Sequence, residues 1–346
     1  MSPAATSARK AEPPRTSVRS LTAADLEAVI ALDAAIFRRS RRGYMQKRLE
    51  AALRDPSAHI QCAVDCDGAF AGFILARVRE GEFGREAPAA AFEAIGVSPS
   101  VQRRGLGHML MRGLEDIARR KGLASIQTDT SWRTHELLRF LDACGFQLAS
   151  RQVLSRRSDL PIPLSSGATA GPSEPVAVER PAEVDYGQPT EPDYAPLAHD
   201  RVPVRSIRRS DLDAVIRIDR KAMGHDRKAY FRKKFDEALL ESAIAVSLVA
   251  EQDGTQAGFV MARADFGEFG HTEPVAVLDT IGVDPDFGGR GVGTALISQL
   301  LANVSGLRIE RVETEVAREE FALLRFLYRL GFEPSDRLVF AKAIGK

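Results

Sequence analysis

The sequence carries the same pattern twice, at an offset of 186 residues. VRSLTAADLEAVIALD (18–33) matches VRSIRRSDLDAVIRID (204–219), and LLRFLDACGF (137–146) matches LLRFLYRLGF (323–332), without a gap between the matches. Solenoid repeats have periods of roughly 20–50 residues, so a period this long indicates whole domains rather than stacked repeats. We therefore expect two copies of one domain, each burying a core of its own.

The repeat also sets the domain boundaries. We predict an N-terminal domain over residues 18–158 and a C-terminal domain over 204–346, preceded by a disordered tail over 1–17. The segment between the copies, 159–203, contains half of the 18 prolines of the chain. Because proline cannot donate to a strand ladder, this composition predicts an extended, mobile linker.

Composition excludes several classes of function. The net charge of +1 provides no field that selects nucleic acid or a membrane surface. No apolar run reaches the roughly 20 residues of a membrane helix, and the first residues lack the apolar core of a signal peptide, so we predict a cytoplasmic protein. Cys62, Cys66 and Cys144 lack metal-site spacing and an accompanying histidine cluster, so we predict free thiols and no metal.

The order of secondary structure is predicted to be the same in both copies. Apolar periodicity gives a strand, two helices, three strands, a helix, a strand, a helix and a final strand. Thr22 is placed to cap the first helix, and Asp67-Gly68 is typical of a tight hairpin turn. This order predicts an α/β fold in which each copy has a mixed, mostly antiparallel sheet flanked by helices.

A glycine-rich junction follows the third of the three consecutive strands in both copies. It comprises GVSPSVQRRGLGHMLMRGL (96–114) and GVDPDFGGRGVGTALISQL (282–300). The N-terminus of a helix exposes unpaired N–H groups and partial positive charge, and glycines let an anion approach the backbone. The junction has neither Walker nor GxGxxG spacing. We predict a pyrophosphate cradle, the alternative being a tight turn with solvated arginines.

This junction resembles motif A of the GCN5-related N-acetyltransferase superfamily, and the downstream L-x-x-F-L-x-x-x-G-F resembles motif B. In that family the loop holds the pyrophosphate of acetyl-CoA, the preceding strand contacts the pantetheine arm at a splay between two central strands, and the acetyl group passes directly to an amine. The resemblance therefore implies tandem domains of this type, acetyl-CoA as acyl donor, and an amine of a protein or small molecule as acceptor.

The resemblance also assigns cofactor contacts. Gly288 stands where the family has Arg or Gln, and the loss of one hydrogen bond to a charged group costs about 1.5–3 kcal/mol. We therefore expect weaker binding in the second copy. The expected contacts are Val97, Gln102, Arg103, Arg104, Gly105 and Gly107 in the first copy, and Val283, Gly288, Gly289, Arg290, Gly291 and Gly293 in the second.

Catalysis requires a group that accepts a proton from the amine. Glu93 and Asp279 occupy matching positions on a central strand, and Asp129 and Glu315 match on the next strand, where some family members have a general-base glutamate. A buried strand carboxylate would have a raised pKa, which suits a base. The alternative is that these acids pair with arginines or cap backbone groups.

The sequence departs from the family at the position of the general acid. Many family members have a tyrosine that protonates the departing thiolate, and Leu141 and Leu327 stand at that position here. Tyr328 is one residue away, which on a helix is a rotation of about 100°. It is either the acid or a packing aromatic.

The acceptor side is predicted from GEFG, which occurs in both copies between two strands. Glu82 and Glu268 are expected to bind a cationic amine, and Phe83 and Phe269 to wall its pocket. The alternative is a turn with a hydrophobic plug. Basic segments over 37–48 and 226–235 correspond to helices that flank the acceptor site in this family. They would attract acidic protein or nucleic-acid surfaces, the alternative being a solvated helix face.

Three functional alternatives stay open. One domain is active and the other degenerate, as in a mycothiol-synthase-like enzyme, or both are active. The third is a non-catalytic acyl-CoA sensor, which the two leucines at the tyrosine position favour. The chain is expected to be a monomer or dimer, with its two domains able to pair as dimers of this family do.

Overall fold

The computed structural model describes residues 14–79, 88–163, 202–236, 238–239, 246–266 and 274–345. Within these ranges, no helix has the length and apolar character that crossing a membrane demands, and no cluster of metal-ligating side chains is found. The three cysteines are buried free thiols, as predicted.

The first half follows the predicted order of elements. The turn at Asp67-Gly68 has positive φ at both residues, as a tight hairpin requires. Thr22 lies before a single 3-10 turn that leads into the first helix. The elements are β1 (Thr16–Arg19), α1 (Leu26–Phe37), α2 (Arg42–Arg54), β2 (His59–Cys66), β3 (Ala69–Arg79), β4 (Ala89–Val97), α3 (Leu106–Arg120), β5 (Ser125–Ser131), α4 (His135–Ala143), β6 (Gln147–Leu148) and β7 (Arg151–Arg157).

The second half repeats this order. Its final strand is also divided in two, because a short break separates a two-residue strand from a longer one. The elements are β8 (Val204–Ser206), α5 (Leu212–Met223), α6 (Lys228–Asp236), β9 (Leu248–Gln252), β10 (Thr255–Phe266), β11 (Pro274–Val283), α7 (Val292–Gly306), β12 (Arg311–Ala317), α8 (Phe321–Arg329), β13 (Glu333–Pro334) and β14 (Arg337–Ala343).

The two halves exchange their last strands. The sheet of the first half has the order β1-β2-β3-β4-β5-β14-β6, and that of the second half has the order β13-β7-β12-β11-β10-β9-β8. Among the strands of the described ranges, β4 pairs with β5 and β11 with β12 in parallel, and the other pairs are antiparallel. The mixed, mostly antiparallel α/β fold is therefore confirmed, but each sheet includes a strand from the other copy.

Because of the strand exchange, the predicted domain boundaries in the sequence do not coincide with the boundaries of the two sheets. Residues 151–157 precede the boundary at 158, yet they pair with β12 of the second half. Residues 337–343 pair with β5 of the first half. At the N-terminus, β1 begins at Thr16, inside the segment 1–17 that was predicted to be disordered, because its residues pair with β2.

Each sheet packs helices on both faces. In the first half, one core lies between the sheet and α3, and a second core includes Val29, Tyr44, Met45 and Leu49 of α1 and α2. The second half has the same two cores. A buried ion pair ties α1 to the start of α2, from Arg41 to Asp33, and Arg227 pairs with Asp219 in the second half.

Candidate active site

A β-bulge marks the centre of each sheet. On β4, Ala94 pairs with Leu75 and Phe92 pairs with Ala76, so Glu93 is the extra residue. On β11 the extra residue is Asp279. Bulges bend a strand and redirect a side chain, and they are common next to active sites. The two carboxylates predicted from their matching positions therefore lie at equivalent irregularities of the backbone.

The two central parallel strands separate at the same level. β4 and β5 pair only over 89–91 and 125–127, although both strands continue. Just beyond this point Thr128 Oγ1 donates to the carbonyl of Phe92 at 3.1 Å. In the second half the pairing ends at Val277 and Glu313. The splay that the resemblance implied is thus present in both halves.

The loop of the first half turns sharply into α3. Arg103 and Gly105 have φ of +64° and +80°, and α3 begins at the next residue, Leu106. The first helical bond runs from Met109 N–H to Gly105 C=O, so the N–H groups of 106–108 precede it. Gln102 Nε2 donates to the carbonyl of Val97 at 3.2 Å. This backbone suits an anion, and residues 102–105 are exposed.

Gly107 has a packing role. A Cβ at this position would lie 3.0 Å from the ring of Phe140 on α4, so the glycine permits α4 to pack against the start of α3. Gly293 has the same relation to Phe326 in the second half. A Cβ at Gly105 would meet no atom within 4 Å, so Gly105 is needed for its positive φ and not for space.

The loop of the second half has the same backbone but different charges. Gly289 and Gly291 have φ of +73° and +84°. The guanidinium of Arg290 lies over the Phe287 ring, 5.4 Å from its centroid. This loop also includes Asp284 and Asp286, and both of them pair with a lysine of α5, Lys221.

The two bulge carboxylates are buried among cations. Glu93 Oε1 lies 2.8 Å from Arg77 Nε and 3.5 Å from Arg48 Nη1. Asp279 Oδ2 lies 3.2 Å from Lys234 Nζ and 3.4 Å from Arg263 Nε. Each carboxylate is thus buried, as expected, and has two cationic neighbours, which is the pairing that the sequence left open as the alternative.

The second pair of predicted carboxylates contacts the exchanged strands. Arg337 on β14 pairs with Asp129, and its Nη2 donates to the carbonyl of the same residue at 3.0 Å. Arg151 on β7 donates from Nε to Glu315 at 2.5 Å, and Arg79 Nη1 lies 3.4 Å from the same carboxylate. Both acids therefore join one half to the other.

A small pocket lies at the apex of the splay in the first half. Glu93 and Asp129 line it, together with Arg79, Gln127 and a residue of the other half, Glu315. The structure thus brings three of the four predicted carboxylates to one place. We call this the apex pocket.

Sequence reasoning missed Glu313. It stands where the first half has Gln127, at the last paired position before the splay. Burial raises its pKa to about 7, and the Arg337 guanidinium opposes that rise. The signal in the sequence was the replacement of an amide by an acid at one position of an otherwise similar strand.

The predicted general acid has a different setting. Leu141 and Leu327 are fully buried in the cores. Tyr328 is 42% exposed, and its hydroxyl lies 3.1 Å from Gln152 Nε2 of β7, with the amide as donor. The predicted acceptor residues Glu82, Phe83, Glu268 and Phe269 lie outside the described residues.

The comparisons with known proteins agree with this geometry. The family model described as "Acetyltransferase (GNAT) family" matches residues 26–146 and again 212–332. This chain belongs to the GNAT acetyltransferase family. The two matched segments are the same length and keep the offset of the internal repeat, so the tandem arrangement is confirmed.

Two curated relatives carry N-acetyltransferase names. An uncharacterized N-acetyltransferase of Methanocaldococcus jannaschii is 34% identical over 140 residues, which cover 38% of this chain and 61% of the relative. An N-alpha-acetyltransferase of Sulfurisphaera tokodaii is 30% identical over 142 residues, covering 38% of this chain and 79% of the relative.

Solved structures of similar fold cover nearly the whole chain. A tandem GNAT protein from the clavulanic acid biosynthesis pathway has a TM-score of 0.60 and 19% identity, with coverage of 96% of this chain and 99% of that protein. A GCN5-related N-acetyltransferase from Sphaerobacter thermophilus has a TM-score of 0.57 and 18% identity, with 96% coverage of both chains. At these identities the likeness concerns the fold.

Proposed function

We propose that the chain is an acetyl-CoA-dependent N-acetyltransferase whose N-terminal half has the stronger cofactor site. The observation that carries this proposal is the loop at the start of α3, which adds Gln102 and two exposed arginines to the splay, where the second half has the splay and one arginine. The loop fits a pyrophosphate: Gly105 has open space beside it, and Arg103 and Arg104 are exposed. These side chains and the N–H groups at the helix start would hold the two phosphates.

When bound, acetyl-CoA would supply an acetyl thioester, whose carbon–sulfur bond would be exchanged for a carbon–nitrogen bond to the neutral amine. The thiolate would leave with the electron pair, and the proton lost by the nitrogen would balance it as the free thiol. The protein must first bring the amine to its neutral form. Glu93, Asp129 and Glu315 at the apex pocket are the candidate proton acceptors of the N-terminal half. We propose that their arginine partners fix the carboxylates in place.

The C-terminal half combines a weaker cofactor loop with a better candidate base. Its loop has one arginine, and its acidic residues are occupied by Lys221. Yet Glu313, whose pKa of about 7 suits a general base, lies at the end of its paired segment. We propose that this half binds acetyl-CoA more weakly.

The test is calorimetric titration of the full chain with acetyl-CoA, read for stoichiometry, together with release of free thiol in the presence of a panel of amines. We expect one tight site per chain and turnover with at least one amine. Absence of binding at millimolar acetyl-CoA would overturn the proposal. Binding without thiol release for any amine would instead favour an acyl-CoA sensor.

A further inference from the structure

A cleft of about 820 Å³ lies between the two halves. Its wall comes from α2, the beginning of β2 and the end of β3 in one half, and from α6, β10 and the bulge of β11 in the other. We call it the inter-domain cleft. Its volume is within the roughly 300–1,000 Å³ of typical small-molecule sites.

The wall of the inter-domain cleft is pseudo-symmetric. Lys47 and Lys233 are equivalent residues of the two copies, and both line it. The same is true of Arg48 and Lys234, and of Arg77 and Arg263. Both copies therefore present the same three positions to this cleft.

The described wall of the cleft is electropositive. Seven lysines and arginines line it, against three aspartates. Four of the seven cations already face carboxylates, since Lys234 and Arg263 contact Asp279 and Arg48 and Arg77 contact Glu93. The excess comes from Lys47, Arg54 and Lys233, while Asp236 pairs with Arg209 outside the cleft at 2.5 Å. The excess is local, because the net charge of the whole chain is only +1. An anion in such a partly enclosed space is attracted more strongly than in open water.

The cleft also reaches the carboxylates at the bulges. Asp279 lines it directly, and Arg48 and Arg77 of its wall hold Glu93. A molecule in the cleft therefore lies next to Asp279 of one half and next to the two arginines that hold Glu93 of the other. Lys47 and Lys233 of the same wall add positive charge with which an anionic group on that molecule would interact.

We propose that the inter-domain cleft is one acceptor site shared by both halves, and that it takes a small amine carrying a carboxylate or phosphate, held by Lys47 and Lys233. This inference rests on the proposed acetyltransferase function. The size of the cleft favours a small molecule over a protein surface, and the paired lysines favour an anion.

The experiment measures thiol release from acetyl-CoA with matched amines. Phosphoethanolamine is compared with ethanolamine, and glutamate with glutamine amide, at saturating acetyl-CoA so that the arginine loops are occupied. We expect the anionic member of at least one pair to have a kcat/KM tenfold or more above its neutral partner. Equal or lower values for both anionic members would overturn the inference, while turnover of the neutral amines would leave the proposed function standing.

Charge-reversal variants locate the site. Lys47→Glu and Lys233→Glu should each raise KM for the preferred anionic amine at least tenfold and change acetyl-CoA affinity less than twofold. Arg232→Glu is the matched control, because it makes the same charge change on α6 at an exposed residue outside the wall. Lys47→Gln and Lys233→Gln provide milder variants if a reversal disturbs folding.

The outcomes separate the claims. If only one of the two lysine variants raises the KM for the anionic amine, the cleft is not shared by both halves. If Arg232→Glu raises this KM as much, the preference comes from general surface charge and the proposed site is wrong. If the unmodified protein does not bind acetyl-CoA, that result counts against the proposed function instead.

Discussion

The two glycine loops share a backbone and differ in charge. Residues 102–105 read Gln-Arg-Arg-Gly and residues 288–291 read Gly-Gly-Arg-Gly, yet both turn into a helix through a glycine with φ near +80°. Arg103 adopts φ of +64°, a region in which Gly289 is unstrained. The second loop thus makes the same turn at a lower conformational cost than the first, but it lacks the two polar side chains of Gln102 and Arg103.

This comparison separates the part of the loop that folds from the part that binds. The turn needs glycine at positive φ and at the contact with α4, and both copies keep glycine there. The side chains that would contact a pyrophosphate are exposed, so nothing in the packing preserves them. Fold and affinity can therefore diverge within one chain.

The largest expected effect tests whether the two scaffolds are equivalent. Arg41→Ala and Arg227→Ala each leave a buried aspartate without its cation, which typically costs about 3–5 kcal/mol of unfolding free energy. Urea denaturation should show similar losses for both. Arg42→Ala is the control, because its pair with Glu27 is exposed to solvent and is expected to change the unfolding free energy little. Clearly unequal losses would break the equivalence of the two scaffolds.

The next effect tests the difference in cofactor binding. Arg103→Ala with Arg104→Ala removes two charged donors, and we expect acetyl-CoA affinity at the tight site to fall about 100-fold. Arg290→Ala should leave that site within about twofold. Calorimetry measures both. If Arg290→Ala abolishes the tight site instead, the assignment of the stronger loop to the N-terminal half is wrong.

A pH-dependent prediction concerns Glu313. Because its pKa is raised to about 7, the folded state holds the proton that the unfolded chain loses near its ordinary, lower pKa. Its contribution to the unfolding free energy therefore declines as pH rises from about 5 to about 7. Glu313→Gln, which copies Gln127, should be more stable than the unmodified protein by about 1–3 kcal/mol above pH 8 and nearly equal at pH 4. Parallel pH profiles of the two proteins would contradict this prediction.

The smallest effect concerns restoration of the missing donor. Gly288 has φ of −58°, which any residue adopts, but a new Cβ would lie 3.2 Å from the carbonyl oxygen of Pro285. Gly288→Gln should therefore fit after a small shift and raise acetyl-CoA affinity of the second site by up to about tenfold. Gly306→Gln, at the end of α7 and with no neighbour within 4 Å, is the control. If the acetyl-CoA affinity of the second site does not change, its weakness is due to Asp284 and Asp286 and not to the missing side chain at residue 288.

Much of the fold follows from the sequence because its signals are local. The hairpin turn, the helix that begins after Gly105 and the alternating strands depend on neighbouring residues. The strand exchange does not. Since β5 and β12 are copies of one strand, β7 and β14 find equivalent edges in either sheet, and no residue pattern distinguishes the two arrangements.

The site was predicted in part for the same reason. The bulge carboxylates were visible as matching acids, but their cations come from other elements, such as Arg48 on α2 and Arg77 on β3. Glu315 was predicted as a residue of its own half, whereas it lines the apex pocket of the other. These contacts join residues that are far apart in the sequence, so no fixed spacing between residues reveals them.

The strand exchange makes the two copies mutual subunits of a single polypeptide. Excision of either copy would remove the strand that borders β5 or β12, and that edge would be a template for aggregation unless the remaining last strand folded back onto it. A single backbone cut between residues 164 and 201 would instead produce two fragments that remain interlocked through β7 and β14. The chain thus has the architecture of a split protein in which each piece completes the sheet of the other.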